Sequence, residues 1–269
     1  MYGKWSRIPE AERSPAHTDI GGHMFTSNHI FLLILCTLLV AAGLIVSIRK
    51  KLSSRTASVI FLVICCISEA VKDMVSIIPD PYGPGYILDP YDIPLMLCSL
   101  AVIFMFPVVF TGNEETREKI NCAIVVGGVI APAFSLLLPT EGTDLGNPLT
   151  YQYFLYHAAL WWYSLYHILT RKVDLSVKSW LRNLLYATVL AFLMLYANSA
   201  LSVYNVNYFF LVKPPMEGLP ILNLDHGWPA YFLTLLLIAY VSISVVHLPA
   251  ILLKKHRKQP YTFFYSLFP

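Results

Sequence analysis

Apolar stretches long enough to cross a lipid bilayer recur along the whole chain, and they constrain its fold more than any other feature. A helix needs about 20 apolar residues to cross roughly 30 Å of hydrocarbon, and several stretches reach this length. Only 13% of the residues are charged and 57% are hydrophobic, whereas a soluble domain carries about 25% charged residues. The sequence therefore predicts a polytopic membrane protein.

The predicted fold is an all-α bundle of seven transmembrane helices. In lipid, only helices and closed barrels satisfy every backbone polar group, and the alternation typical of barrel strands is absent. The bundle, residues 30–253, lies between a polar N-terminal tail (1–29) and a basic and aromatic C-terminal tail (254–269). No cleavable signal peptide is expected, because the first apolar run already has the length of a span. The predicted helices cover residues 30–48, 57–78, 93–111, 120–138, 150–170, 180–203 and 228–253.

The basic residues predict the orientation of the bundle. Lys and Arg are enriched in cytoplasmic loops. Fourteen of the 19 Lys and Arg residues fall in the segments 49–56, 112–119, 171–182 and 254–258, and only four fall in the N-terminal tail and the alternating loops. This pattern predicts an extracytoplasmic N-terminus and a cytoplasmic C-terminus. The formal net charge is only +3 and lies in the loops, so no nucleic-acid partner is expected.

Polar side chains of several predicted helices reach one depth. Ionisable groups inside a bilayer are costly, so each one requires a reason. At 1.5 Å per residue, Cys98 of the third helix and His157 of the fifth both lie about 8–10 Å below the outer boundary. The outward ends of the second and sixth helices bring further polar groups to this level, which predicts a cavity in the outer half of the bundle. The other candidate site residues are Glu69, Lys72, Asp73, Asn198, Ser202 and Asn205.

Each candidate also has a structural interpretation. Glu69 and Lys72, three residues apart, form either a structural ion pair or part of a substrate site. His157 is either a packing residue or a base, and Asn198 and Ser202 are of a type that often joins helices by hydrogen bonds. Cys98 and His157 stand out because they share a depth beside carboxylates and amides. The remaining cysteines are expected to be small buried hydrophobic residues: Cys36, Cys65, Cys66 and Cys122.

Metal, cofactor and disulfide chemistry is not predicted for this chain. No CxxC pair and no His/Cys spacing of a structural metal site occurs in the sequence. All five cysteines lie within or beside apolar segments, which is not the pattern of a secreted disulfide framework.

Five segments occur in the order found in a known membrane family: MFTSNHIFLLI, IPLMLCSL, QYFLYHAAL, NVNYFFL and GWPAYFLTLLL. In these segments the chain resembles the YwaF-like bacterial membrane proteins and the related eukaryotic transmembrane protein 164 family, over roughly residues 24–253. In that family a cysteine of the third span and a histidine of the fifth are the proposed catalytic pair of a lipid acyltransferase. The matching residues here are Cys98 and His157. Many bacterial members carry a histidine two residues before the cysteine, where this chain has Met96.

The resemblance implies a lipid acyltransferase or hydrolase whose partners are membrane lipids, with an acyl donor and a lysolipid acceptor. Cys98 would form a thioester with a fatty acyl chain, and His157 would deprotonate a lysophospholipid hydroxyl or water. Glu69 or Asp73 would orient the imidazole, and Lys72 would bind a phosphate headgroup. Asn198 or Asn205 would stabilise an oxyanion.

A non-catalytic transporter or receptor-like protein is the alternative. An external N-terminus permits a receptor, yet the seventh predicted helix has no lysine for a retinal Schiff base and no NPxxY-like segment. Transporters often contain inverted repeats and broken helices, and no repeat is evident in this sequence. A carrier that binds its substrate or a proton through Glu69, Lys72 and His157 stays open. Both a bacterial plasma membrane and a eukaryotic endomembrane fit the sequence, and the oligomeric state is not predicted.

Overall fold

The computed structural model describes residues 24–254, apart from residues 82, 141, 216–218 and 220. Most of the predicted N-terminal tail and of the C-terminal tail lies outside the described residues. The described part contains seven α-helices: α1 (Ser27–Arg49), α2 (Ser54–Val75), α3 (Leu100–Phe110), α4 (Glu114–Leu137), α5 (Pro148–Leu169), α6 (Val177–Ala200) and α7 (Trp228–Lys254). One antiparallel hairpin, β1 (Ile77–Pro79) with β2 (Tyr86–Leu88), follows α2, and Ile78 is paired with Ile87. Single 3₁₀ turns cover Pro90–Asp92, Ser202–Tyr204 and Tyr208–Phe210.

Local capping residues determine where most helices begin. The first amides of a helix have no acceptor within it, and a Ser, Thr or Asn side chain placed just before the helix can accept from them. Five helices (α1, α2, α4, α5 and α6) begin in this way. Their capping residues are Thr26, Ser53, Asn113, Asn147 and Ser176.

Four of the described helices, α1, α4, α6 and α7, are long and apolar enough to cross a membrane, and α3 is a shorter apolar helix. Large apolar side chains on these helices are exposed, among them Leu38, Phe192 and Leu237. An exposed apolar surface of this extent is unfavourable in water and favourable in lipid. The protein is therefore embedded in a membrane.

α5 is the central helix of the fold. It packs against α1, α2 and α4, and most of its side chains are buried, with Phe154, Tyr163 and Tyr166 fully enclosed. Because α5 faces protein rather than lipid, it can carry tyrosines and histidines that hydrogen-bond to its neighbours. α6 and α7 pack mainly on each other and form a second, smaller cluster with the segment Val206–Leu211.

Several predicted helices have different ends in the structure, and two of these differences move candidate site residues. The third was predicted to begin at residue 93, but α3 begins at Leu100, so Cys98 lies in the turn before it. The physical reason is Pro94, which keeps the preceding Ile93 in an extended conformation with ψ of 138°. The sixth was predicted to reach residue 203, but α6 ends at Ala200. The chain continues through a 3₁₀ turn to a left-handed Asn205, with φ of 55°.

Candidate functional site

Cys98 lies where the two packing clusters meet. Its side chain packs against the main cluster around α5, whereas the preceding Met96 packs against the second cluster. The thiol lies within hydrogen-bonding reach of the Ser135 side chain on α4. The Cys98 carbonyl accepts a hydrogen bond from the Tyr156 hydroxyl on α5 at 2.7 Å. The turn that carries Cys98 is therefore attached to α5 through Tyr156 and lies next to α4.

His157 is buried on α5, two turns from the helix start, and its tautomer is determined by one hydrogen bond. Its Nδ1 lies 2.7 Å from the carbonyl of Tyr153. A carbonyl only accepts, so Nδ1 carries the proton and Nε2 of the neutral ring has a lone pair. The ring packs on Tyr153 at 4.3 Å between centroids and meets the Tyr156 ring edge-on at 5.7 Å. The imidazole is thus held in one orientation with Nε2 as a potential base.

His157 differs from the other buried histidines. His29, His167 and His247 each have both ring nitrogens in hydrogen bonds. Among the buried histidines that the structure describes, His157 is the one whose Nε2 has no hydrogen-bond partner. This nitrogen is not among the fully enclosed polar atoms that lack a partner, so another group can reach it. This difference makes His157 the best-placed base among these histidines.

Cys98 and His157 share neighbours across α4 and α5. The Tyr153 hydroxyl donates to the Ser135 carbonyl at 3.0 Å, and the Ser135 side chain lies near the Cys98 thiol. Tyr156 bonds to the carbonyl of Cys98 and contacts the ring of His157. No direct hydrogen bond joins the thiol to the imidazole within the described residues. Tyr153 and Tyr156 therefore lie between His157 and the residues next to Cys98.

Ionisable side chains of α2 lie close to the residues around Cys98. Glu69 and Lys72 form an ion pair at 2.8 Å, with both side chains largely buried, so the predicted pairing is present. Asp73 and Asp92 lie near Glu69. Tyr156 lies near both Glu69 and Cys98, which connects the carboxylates to the cysteine. One oxygen of Asp73 is buried without a hydrogen bond to any other described residue.

The sixth-helix candidates are separated in the structure. Asn198 is buried and clamps the loop after α6, because its side chain accepts from the Tyr208 amide at 2.7 Å and donates to the Tyr208 carbonyl at 3.0 Å. Ser202 and Asn205 are exposed beyond the end of the helix. These three residues therefore do not lie on one helix, since α6 ends at Ala200, before Ser202.

Tyr208 connects this loop to the segment before Cys98. Its hydroxyl donates to the carbonyl of Pro90. Burial, with the nearby carboxylates of Asp89 and Asp92, raises the pKa of Tyr208 to about 12. The phenol therefore stays protonated and keeps donating at physiological pH. This hydrogen bond joins the loop after α6 to the segment before α3.

Sequence reasoning did not single out Ser135 or Tyr156. Ser135 lies two residues before the C-terminal end of α4, so it is closer to the end of its helix than the residues selected by depth. Tyr156 is adjacent to His157 in the sequence. Its contact with Cys98 joins residues 58 positions apart, and no local pattern encodes it.

Neither the other cysteines nor a group of metal-binding side chains adds a second site of this chemistry among the described residues. All five cysteines are free; Cys36, Cys65 and Cys122 are buried as predicted, whereas Cys66 is exposed on α2. Among the described residues, no group of three or more His, Cys, Asp and Glu side chains is arranged to hold a metal ion.

The comparison with known proteins gives one finding. No curated protein and no solved structure matches the chain. The model of the TMEM164 family matches residues 24–246, which include α1 to α6 and most of α7. This match confirms the resemblance inferred from the five sequence segments. The chain belongs to the TMEM164 family of membrane proteins.

Proposed function

We propose that this membrane protein is a lipid acyltransferase that works through a thioester on Cys98, with His157 as general base. The observation that carries the proposal is the unpaired Nε2 of His157, held in one tautomer beside the neighbourhood of Cys98. A thiol reacts with an ester as the thiolate, so it needs a base within reach. His157 is the buried histidine whose second nitrogen is available for that task.

The proposed reaction has two steps. Cys98 Sγ gives its proton to His157 Nε2 and attacks the ester carbonyl carbon of a phospholipid. The ester C–O bond breaks, the lysophospholipid leaves with the proton from His157, and an acyl thioester remains on Cys98. The hydroxyl of a second lysophospholipid then gives its proton to His157 and attacks the thioester. The new ester leaves, and the thiolate regains the proton; water in place of the lysolipid would give hydrolysis.

The thiol and His157 Nε2 must approach each other in this step, since no hydrogen bond joins them within the described residues. Catalytic hydrogen bonds are often long or unformed without substrate and tighten when it binds, so this arrangement is compatible with the step. Tyr153 acts as a positioning residue, because its carbonyl fixes the tautomer of His157. We assign Lys72 and Asp73 to the headgroup end of the site, with Glu69 holding Lys72 in place.

The sixth-helix candidates take different parts in this proposal. Asn198 acts through the loop that it clamps, since its contacts with Tyr208 use the side-chain oxygen and one amide hydrogen. Ser202 and Asn205, exposed beside that loop, are assigned to headgroup contact rather than to the oxyanion.

We also propose that all seven helices cross the membrane, with the N-terminus outside. α2 and α5, with 22 residues each, have the required length. α5 is less apolar than α1 because it is surrounded by protein. α3 has only 11 residues, and the turns before it complete the third crossing. The alternation of basic and non-basic loops supports this orientation.

Thiol reactivity tests the proposal directly. In the purified protein, an iodoacetamide probe is expected to label Cys98 faster than exposed Cys66, and His157→Ala is expected to slow labelling of Cys98 at least tenfold. His226→Ala, which removes an exposed histidine from an outer loop, serves as the control. Cys98→Ala is then expected to abolish transfer of an isotope-labelled acyl chain between phospholipid and lysophospholipid in liposomes. Unchanged labelling in His157→Ala, or transfer that survives Cys98→Ala, would contradict the proposal.

A proton-coupled carrier is the second candidate, and the buried unpaired oxygen of Asp73 is the observation that favours it. Buried carboxylates within membrane helices often bind protons or ions. Such a carrier would move its substrate across liposome membranes without any need for Cys98. Flux that survives Cys98→Ala and is lost in Asp73→Asn would select this function.

A further inference from the structure

Helix α5 carries the same five-residue pattern twice, ten residues apart: YFLYH at 153–157 and YSLYH at 163–167. The second copy holds its histidine as the first does. Nδ1 of His167 lies 2.9 Å from the Tyr163 carbonyl, and the ring meets Tyr163 at 4.3 Å and Tyr166 at 5.6 Å between centroids. The proton of the neutral ring is therefore on Nδ1, and Nε2 is an acceptor.

At the second copy, Nε2 is occupied by a serine hydroxyl. Ser54 Oγ lies 3.0 Å from His167 Nε2. Because Nε2 can only accept in this tautomer, the Ser54 hydroxyl donates its proton toward the imidazole. A serine that donates to a histidine whose other nitrogen is fixed by a third group is the arrangement of an activated nucleophile and its base. Here the third group is the backbone carbonyl of Tyr163.

We propose that Ser54 and His167 form a second nucleophile–base pair that cleaves a carboxylic ester of an anionic lipid. The pair lies at the end of the bundle that carries the Lys- and Arg-rich segments 49–56 and 171–182. This pair does not depend on Cys98 or His157, which belong to the other copy of the pattern. The two centres would share α5 as a common support.

The surroundings of Ser54 fit this chemistry. Ser54 is half-buried between exposed Ser53 and Arg55, so it is reached from the surface. As the first residue of α2, it lies at the positive end of a 22-residue helix. The amides of Ser54 and Arg55 have no acceptor within the described chain, whereas the next amide, that of Thr56, is capped by Ser53. These two N–H groups are placed to stabilise an oxyanion formed at Ser54.

Basic side chains at this end explain the preference for an anionic lipid. Lys51 and Arg55 are exposed on either side of Ser54 along the chain. Lys172 is anchored beside the pair, because its ammonium donates to the Leu52 carbonyl and to the Tyr166 hydroxyl. A phosphate or carboxylate on the lipid would bind to this group of cations.

The proposed reaction is balanced with water as the only co-reactant. Ser54 Oγ attacks the ester carbonyl carbon while its proton passes to His167 Nε2. The C–O bond to the alcohol breaks, and the alcohol leaves with that proton, so an acyl ester remains on Ser54. Water then gives a proton to His167 and attacks this ester; Ser54 recovers the proton, and the free acid leaves.

A fluorophosphonate probe tests the proposal, because it reacts with activated serines. The native protein in detergent is expected to be phosphonylated on Ser54, as located by peptide mass spectrometry, and heat-denatured protein is not. Ser54→Ala is expected to lose the label, and His167→Ala to slow labelling at least about a hundredfold, the size of a general-base contribution.

The control is Thr234→Ala on α7. The Thr234 hydroxyl donates to the Ala230 carbonyl of its own helix, so its removal is expected to leave labelling of Ser54 unchanged. If Ser54 in the native protein is not labelled above the Ser54→Ala background, the pair only ties α2 to α5 and the proposal is wrong. Labelling that persists in His167→Ala at the native rate also overturns it. Both readings concern Ser54 alone, so they are independent of the fate of Cys98.

Discussion

At the scale of single residues, the close approach of α4 and α5 depends on Gly128. A Cβ atom at this position would overlap Ser164 Oγ and lie 2.8 Å from Leu160 Cδ1. Both neighbours belong to α5 and are buried, so neither can move aside into lipid. The two helices can therefore pack at this distance only because residue 128 has no side chain.

We predict that Gly128→Ala destabilises the protein. Overpacking of a well-packed interior costs about 1–3 kcal/mol, and the expected result is a lower midpoint of thermal unfolding in detergent. Gly127→Ala is the matched control, because an added Cβ there meets nothing within 4 Å. Alanine is the better helix former by about 1 kcal/mol, so the control is expected to be neutral or more stable. Equal midpoints for the two variants would show that α4 and α5 are not packed as described.

At the scale of structural elements, the loop that follows α6 is held against its conformational preference. Asn205, Phe209 and Phe210 all have positive φ, between 55° and 58°, which costs roughly 1–2 kcal/mol for a residue with a side chain. The contacts that oppose this strain are the Asn198 clamp on Tyr208 and the bond from Tyr208 to Pro90. The loop is therefore stable only as long as these contacts hold.

We predict that Asn198→Ala loosens this loop without unfolding the bundle. The Tyr208 amide would lose its partner while buried, at a cost of about 1–3 kcal/mol, whereas the Tyr208 carbonyl would keep the Leu211 amide at 3.3 Å. Hydrogen exchange of the Tyr208 amide, followed by mass spectrometry of the 201–211 peptide, is expected to become at least tenfold faster. Ser202→Ala, at an exposed position, is the control and should leave the exchange rate unchanged. Slow exchange in Asn198→Ala would mean that other contacts hold the loop.

At the scale of the whole molecule, two clusters of helices meet at the candidate site. α1 to α5 pack around the main cluster, and α6 and α7 form the second one with the loop that Asn198 holds. Cys98 and Met96, two residues apart, belong to different clusters. A shift of one cluster against the other would therefore move the cysteine relative to α5. The position of Cys98 depends on the whole assembly and not on one helix.

We predict that the start of α4 and the loop that follows α6 lie on opposite sides of the membrane. Three proposed crossings separate Glu118, near the start of α4, from Ile221, in the loop before α7; both positions are exposed. In intact cells, a membrane-impermeant maleimide is expected to label a cysteine at Ile221→Cys, and to label Glu118→Cys only after permeabilisation. Labelling of both from the same side would rule out the seven-span topology.

Much of the fold was predictable because it is encoded locally. The lengths of the apolar stretches predicted the helices, and the capping residues lie where five of them begin. The i, i+3 spacing of Glu69 and Lys72 predicted their ion pair. Two of the exceptions were also local in origin, since Pro94 shortened the third helix and the left-handed Asn205 lies just beyond the end of the sixth.

By itself, the sequence determined the helical class, the membrane environment and the family, since each depends on composition or on order along the chain. Depth and the family resemblance singled out His157, but the same five-residue pattern surrounds His167, and the pattern does not show what contacts either ring. Only the tertiary structure decided that Ser54, 113 residues away, occupies one ring nitrogen and that no described residue occupies the other. The physical reason is that the partner of a buried polar atom is supplied by whichever helix packs against it.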